Sequence, residues 1–387
     1  MTSEPAVRVA MIGHGFMGAA HSQGWRVAPR FFDLPRRPEM AVLVGRSAAS
    51  VEASAQKWGW AETATDWRYV VARDDIDVID IVTPGDSHAE IAIAALAAGK
   101  HVLCEKPLAN TVAEAVAMAA AATSAAANGV FAMLGFTYRR MPAVTFARNL
   151  VADGRIGSIR QVRVAYLQDW LRDAEAPMSW RLRRELAGSG ALGDLGAHAV
   201  DLAQFICGDR VQSVSGLLET VVAERPLPGG TGERGRVTVD DIAIFTARFS
   251  SCAIGTFEAS RFSTGRKNSL RIEVAGTSGA VSFDLEDLNT LYFYDATAPA
   301  GEQGFTRILV TEPEHPYVES WWPTGHLLGY EHGFSHQARD FLVAIAAGVQ
   351  PTPSFADGVQ VQGVLDAVEM SSKNESVWTA TSRHAAQ

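Results

Sequence analysis

The chain has 387 residues, of which 47% are hydrophobic and 20% charged, with a formal net charge of -9. That length exceeds what one hydrophobic core usually organises, so two domains are expected, and the apolar share argues against extended disorder. The acidic balance argues against a nucleic-acid partner, which needs a basic face, and suits a neutral polar substrate.

Three widely spaced cysteines, Cys104, Cys207 and Cys252, offer neither a disulfide framework nor a metal-ligand pair, so a reducing cytoplasm and no metal are expected. Met1 to Pro5 lacks a basic leader followed by an apolar stretch, and the first apolar run leads straight into glycines as a buried strand would. The alanine-rich stretch 112–136 is interrupted by Thr123, Ser124 and Asn128. It therefore reads as a helix and a strand, with no membrane span.

Along the chain, apolar strand-like runs at 7–12, 40–44, 78–82, 101–104 and 130–134 alternate with alanine-rich helical stretches. That alternation predicts a doubly wound parallel sheet covered on both faces. Thr111 with Glu114 forms a capping box, and Gly99 and Gly129 stand where helices should end.

Directly after the first strand comes Gly13-His14-Gly15-Phe16-Met17-Gly18, a G-x-G-x-x-G pattern in the context where it carries meaning. The first glycine permits the tight turn, the second lets the backbone approach a pyrophosphate, and the third allows close helix packing. The following helix would supply unpaired N–H donors at its start. The second strand ends in Gly45-Arg46-Ser47, where a ribose-binding carboxylate is usual. Arg46 and Ser47 could bind the 2′-phosphate of NADP; alternatively Arg46 stacks on adenine and NAD binds without a carboxylate partner. The expected cofactor is NAD or NADP, with NADP favoured.

After about Phe136 the texture changes to period-two alternation at 159–166, 242–249, 253–257 and 270–274, which predicts an antiparallel sheet. Helical runs are expected near 195–205 and 357–370, and the Gly- and Pro-rich stretch 226–235 reads as an exposed loop. The expected domains are 1–137, a Rossmann domain, and 138–387, a substrate-binding and oligomerisation domain; helix 357–370 could pack back on the first. The fold class is α/β, a parallel sheet followed by a large, mostly antiparallel one.

The first turn, the Thr83-Pro84 pair, Cys104-Glu105-Lys106-Pro107 and the cluster from Gly188 to His198 (G-S-G-A-L-G-D-L-G-A-H) together resemble the Gfo/Idh/MocA oxidoreductase family over nearly the whole chain. The resemblance implies a nicotinamide-dependent dehydrogenase acting on a secondary alcohol, with Lys106, Asp194 and His198 catalytic. The chemistry agrees independently, since hydride loss from an alcohol needs a proton acceptor and histidine titrates near neutrality. On a helix Asp194 and His198 share one face, which Asp201 continues, so the carboxylate could orient the ring or tune its pKa. Lys106 stands at a strand's carboxyl end, where α/β ligands bind.

Tyr138-Arg139-Arg140, Leu167-Gln168-Asp169-Trp170, Ser179-Trp180-Arg181, Trp322-Pro323 and the stretch Pro353 to Gly358 are similar to the levoglucosan dehydrogenases and related sugar 3-dehydrogenases within that family. That likeness implies a pyranose-like substrate met by Tyr138, Gln168, Trp170, Asp194, His198 and Trp322. It also implies a cofactor held by Gly13, Gly15, Phe16, Met17, Gly18, Arg46, Ser47, Thr83, Pro84, His88, Glu105, Lys106 and Arg181. Thr137 departs from the asparagine common before Tyr-Arg-Arg. The family implies a homodimer or homotetramer through the second sheet. The alternatives are an inositol, polyol or glycoside dehydrogenase with the same machinery, or a non-catalytic dinucleotide-binding sensor, which would not need Lys106, Asp194 and His198 together.

Overall fold

The computed structural model describes residues 6–230 and 232–381; the expectation for Met1 to Pro5 lies outside them. The chain divides into two compact units, one running to Arg140 and taking up Gly329–Val359 again, the other made of Met141–Leu328 and the described residues from Gln360 to Thr381.

In the first unit, β1 (Val7–Ile12), β2 (Pro38–Val44), β3 (Glu62–Ala64), β4 (Val78–Ile81), β5 (His101–Cys104) and β6 (Ala132–Leu134) form a parallel sheet in the order β3-β2-β1-β4-β5-β6. The order reverses at β1 and β4, so both β1 and β4 end at the switch point where such sheets bind ligands. Strand interiors such as Val9, Met11, Leu43, Val78 and Leu103 are buried on a core shared with Trp25 of the helix Phe16–Phe31 and Phe341 of the helix His332–Ala346. The capping box forms as expected, with the Glu114 N–H donating to Thr111 Oγ1 at 3.2 Å and the Thr111 N–H to Glu114 Oε2 at 3.0 Å. The helix His332–Ala346 was not expected; it begins about 200 residues after the last strand of the sheet it covers, so no local pattern announces its partner.

In the second unit, β7 (Ile159–Leu167), β8 (Val211–Glu219), β9 (Glu224–Pro226), β10 (Arg234–Arg236), β11 (Ile242–Phe249), β12 (Ile254–Ser260), β13 (Ser269–Gly276), β14 (Gly279–Asp284), β15 (Thr290–Asp295), β16 (Thr306–Leu309) and β17 (Thr379–Ala380) appear in chain order. All but β9 and β10 form a nine-stranded sheet, β16-β15-β14-β13-β7-β12-β11-β8-β17. Its ladders are antiparallel except for β12 against β7. Alternation sorts the faces: in β11 Ala243, Phe245, Ala247 and Phe249 are buried while Ile244, Thr246 and Arg248 are exposed. In the stretch 226–235 the described residues between 227 and 233 form the expected loop, mostly exposed, while the ends, Pro226, Arg234 and Gly235, belong to a hairpin in which β9 pairs with β10. Among the described residues no helix is long and apolar enough to cross a membrane, and the cysteines are free thiols.

Candidate active site

In the first unit the expected cofactor residues gather at the carboxyl ends of β1, β2, β4 and β5, as a parallel sheet requires. Gly13 adopts φ +107°, open to glycine, and a Cβ there would meet Val82 O at 2.9 Å. A Cβ on Gly18 would meet Gly13 O at 2.9 Å, whereas one on Gly15 meets nothing within 4 Å. Gly15 caps the helix Phe16–Phe31 without a side-chain cap hydrogen bond. The turn is thus closed against the protein on two sides and open on the third, a cradle that fits a pyrophosphate. Phe16 is 68% exposed at the helix start, Arg46 and Ser47 are exposed, and a Cβ on Gly45 would strike the His14 ring.

His88 is buried, with Nδ1 3.0 Å from Pro107 O and Nε2 2.9 Å from Thr83 O. It ties the Thr83-Pro84 turn to the Lys106-Pro107 segment. Glu105 points inward. Its Oε1 lies 2.9 Å from His21 Nε2, while His21 Nδ1 lies 3.0 Å from both oxygens of Asp80, which also accepts the Trp25 indole N–H at 2.7 Å. Burial alone would push the His21 pKa down, but Asp80 and Glu105 outweigh it and raise it to about 10. The Lys106 N–H donates to the other Glu105 oxygen at 3.2 Å, so the imidazolium clamp reaches the backbone of the expected catalytic lysine. His21 and Asp80 lie 59 residues apart, and no spacing rule links them to Glu105.

Tyr138 is buried, edge-on to Tyr330 at 6.3 Å, and Tyr330 stacks on Phe16 at 6.4 Å. Burial drives the Tyr330 phenol pKa upward, so it stays protonated and available as a donor.

In the second unit Asp194 and His198 do not share one uniform α-helix. Asp194 stands in a π-helical turn, Leu192–Gly196, that runs into the α-helix Ala197–Cys207 carrying His198. Asp240 shapes the approach: its carboxylate accepts the Gly190 and Leu192 N–H groups, each at 2.7 Å, and its carbonyl accepts the Ala191 N–H at 3.0 Å. A Cβ on Gly190 would lie 1.7 Å from Asp240 O, and one on Gly193 2.2 Å from Ser189 Oγ. Burial pushes the Asp240 carboxyl up, against the pull of those N–H donors. Asp201 is buried on the helix.

Asp194 Oδ2 takes an ion pair from Arg261 Nη2 at 3.0 Å. Arg261 is buried, faces the Trp170 ring at 5.4 Å, and its Nε–H has no acceptor among the described residues. The His198 ring meets the Tyr166 ring edge-on at 5.9 Å. Gln168 accepts from the Trp170 indole at 2.9 Å. The structure therefore brings Gln168 and Trp170 into one set of contacts with Asp194 and His198, through Arg261 and Tyr166. Asp240, Arg261 and Tyr166 had no local signal; only the tertiary contacts of the strand β7 and of the segments flanking β11 and β12 reveal them. Arg181 lies over Trp180 at 4.6 Å, and Trp322 is 47% exposed beyond the turn Val318–Ser320.

Residues 7–133 match the oxidoreductase family NAD-binding Rossmann fold and residues 144–282 the GFO/IDH/MocA C-terminal domain. A levoglucosan dehydrogenase from Pseudarthrobacter phenanthrenivorans is 40% identical, over 96% of this chain and 97% of that protein. The chain belongs to the Gfo/Idh/MocA family. It is accordingly a nicotinamide-dependent oxidoreductase acting on CH–OH groups, in a family of sugar and polyol dehydrogenases. A crystal structure of an oxidoreductase domain protein from Kribbella flavida is 63% identical with TM-score 0.96, covering 98% of this chain and 100% of that one. A levoglucosan dehydrogenase in complex with NADH and levoglucosan is 39% identical with TM-score 0.93, covering 98% of this chain and 100% of the other.

Proposed function

We propose that this enzyme oxidises a secondary hydroxyl of a levoglucosan-like pyranose or anhydrosugar. The observation that carries the reading is the pair Gln168 and Trp170, half-buried and exposed, which offers polar and aromatic surface suited to a sugar and is tied to Asp194 and His198 by the buried Arg261 and Tyr166. The dinucleotide is held by the Gly13, Gly15 and Gly18 turn with Phe16 and Met17, by Thr83, Pro84 and the Glu105-Lys106 segment that His88 ties together, and by Arg181. A bound nicotinamide would supply the acceptor for the hydride that leaves the carbinol carbon. The His198 imidazole accepts the hydroxyl proton on a ring nitrogen, and Lys106 Nζ holds or returns a proton at the same oxygen. Asp194, ion-paired with Arg261, stabilises positive charge as it develops on the imidazole. Tyr138 and Trp322 complete the sugar contacts.

At the adenosine end, the exposed Arg46 and Ser47 meet a 2′-phosphate with a guanidinium and a hydroxyl and no opposing carboxylate, so NADP is accepted at least as well as NAD. The exposed sheet face supports a homodimer or homotetramer: Leu217 and Ile244 are 56% and 51% exposed and directly opposite each other, with Ile254 48% exposed on β12. The thiols suit a cytoplasmic protein. The test is cofactor reduction with NAD and NADP against levoglucosan, other pyranoses, inositols and glycosides. Turnover on levoglucosan or a free pyranose is expected; turnover confined to inositols, or none on any of them, would refute it.

A further inference from the structure

Where β7 and β13 end, register brings two amides together. Leu167 pairs with Ser269 and Tyr166 with Leu270, so Gln168 and Asn268 come opposite each other just past the ladder, on the face that Tyr166 shares. The Trp170 indole N–H donates to Gln168 Oε1 at 2.9 Å, Gln168 Nε2 donates to Asn268 Oδ1 at 2.7 Å, and the Tyr166 hydroxyl donates to the same Oδ1 at 2.8 Å.

An indole can only donate, so the Gln168 oxygen must face Trp170 and its NH₂ must face Asn268. That fixes the Asn268 oxygen inward. Its amide nitrogen is turned the other way, and neither hydrogen meets an acceptor among the described residues. The side chain is half-buried on a pinned segment. Asp169 Oδ2 accepts the Gly265 N–H at 3.1 Å and Lys267 Nζ at 2.8 Å, and Glu286 Oε1 accepts the Asn268 N–H at 3.3 Å. The chain of contacts ends on the candidate catalytic pair in both directions, at His198 through Tyr166 and at Asp194 through Trp170 and Arg261.

We propose that Asn268 is a specificity-determining residue whose outward N–H groups donate to one hydroxyl oxygen of the sugar. This rests on the sugar-oxidising reading above. An oxygen is accepted there, and an ammonium, which can only donate, is rejected.

The experiment measures kcat/KM of wild type and Asn268→Ala on levoglucosan and on those monodeoxy analogues that keep the reacting hydroxyl. The variant should lose about tenfold on levoglucosan, through KM, and nothing on the one analogue lacking the oxygen that Asn268 reads, because two removals of one contact do not add. Equal loss on every analogue, or no loss on levoglucosan, overturns the proposal. Asn268→Asp keeps the oxygen to which Tyr166 and Gln168 donate and turns an acceptor outward; the matching aminodeoxy sugar should inhibit it at least tenfold more strongly than wild type. No such gain also overturns the proposal. Wild type without turnover on any sugar refutes the reading of the preceding section and takes this one with it; turnover with uniform loss refutes Asn268 alone.

Discussion

Residues 13–18 and 188–198 are both glycine-rich and both precede a helix, yet their glycines answer to different constraints. At the first, Gly15 faces open space while its neighbours face the chain; at the second, Gly190 and Gly193 would strike Asp240 O and Ser189 Oγ at 1.7 Å and 2.2 Å. One cluster leaves room for a ligand, and the other lets the chain approach itself so that Asp194 is held within a π turn and His198 on the helix that follows it. A glycine motif thus reports a close approach without saying what approaches.

The strongest way to break the comparison is to add a side chain to each. Gly190→Ala should destabilise the second unit by more than about 4 kcal/mol, since the intruding Cβ meets backbone and no flexible side chain. Gly15→Val should leave the unfolding midpoint nearly unchanged and weaken cofactor binding at least tenfold, as read by denaturation and calorimetry. A Gly15 variant that binds as tightly as wild type would remove the cradle assignment.

Chemistry at the two regions should be separable from their architecture. Lys106→Ala and His198→Ala are each expected to lower kcat by about 10² to 10⁴ while cofactor affinity stays nearly intact. The double variant should lose less than the product, because groups on one proton path fail together. Steady-state rates of the three variants decide it; a His198→Ala enzyme with undiminished kcat from pH 6 to 9 would exclude that imidazole.

The buried His21 cluster responds to pH. His21 has a folded pKa of about 10, above its ordinary 6.5, so its contribution is full below the ordinary value and is lost as pH rises through about 10. Stability should fall between those limits by on the order of a few kcal/mol, measured by denaturant unfolding. His21→Gln should flatten that slope. The smallest effect is expected at the first unit's rim, where Arg46→Asp should weaken NADP several-fold more than NAD; equal weakening would show that the guanidinium does not meet the 2′-phosphate.

Much was determined by the sequence itself. The parallel strands, the capping box, the Gly13 turn and the Lys106 position at a strand end follow from local rules, because backbone geometry and short-range periodicity act within a few residues. The nine-stranded sheet was legible in type only, since alternation marks a strand without naming its neighbour. Tertiary structure alone decided that Glu105 turns inward to His21 and Asp80, that Arg261 pairs with Asp194 and Asp240 shapes the π turn, and that Gln168 meets Asn268. The last pair is 100 residues apart, and hydrogen bonds between side chains are fixed by register and burial, which a linear pattern does not encode.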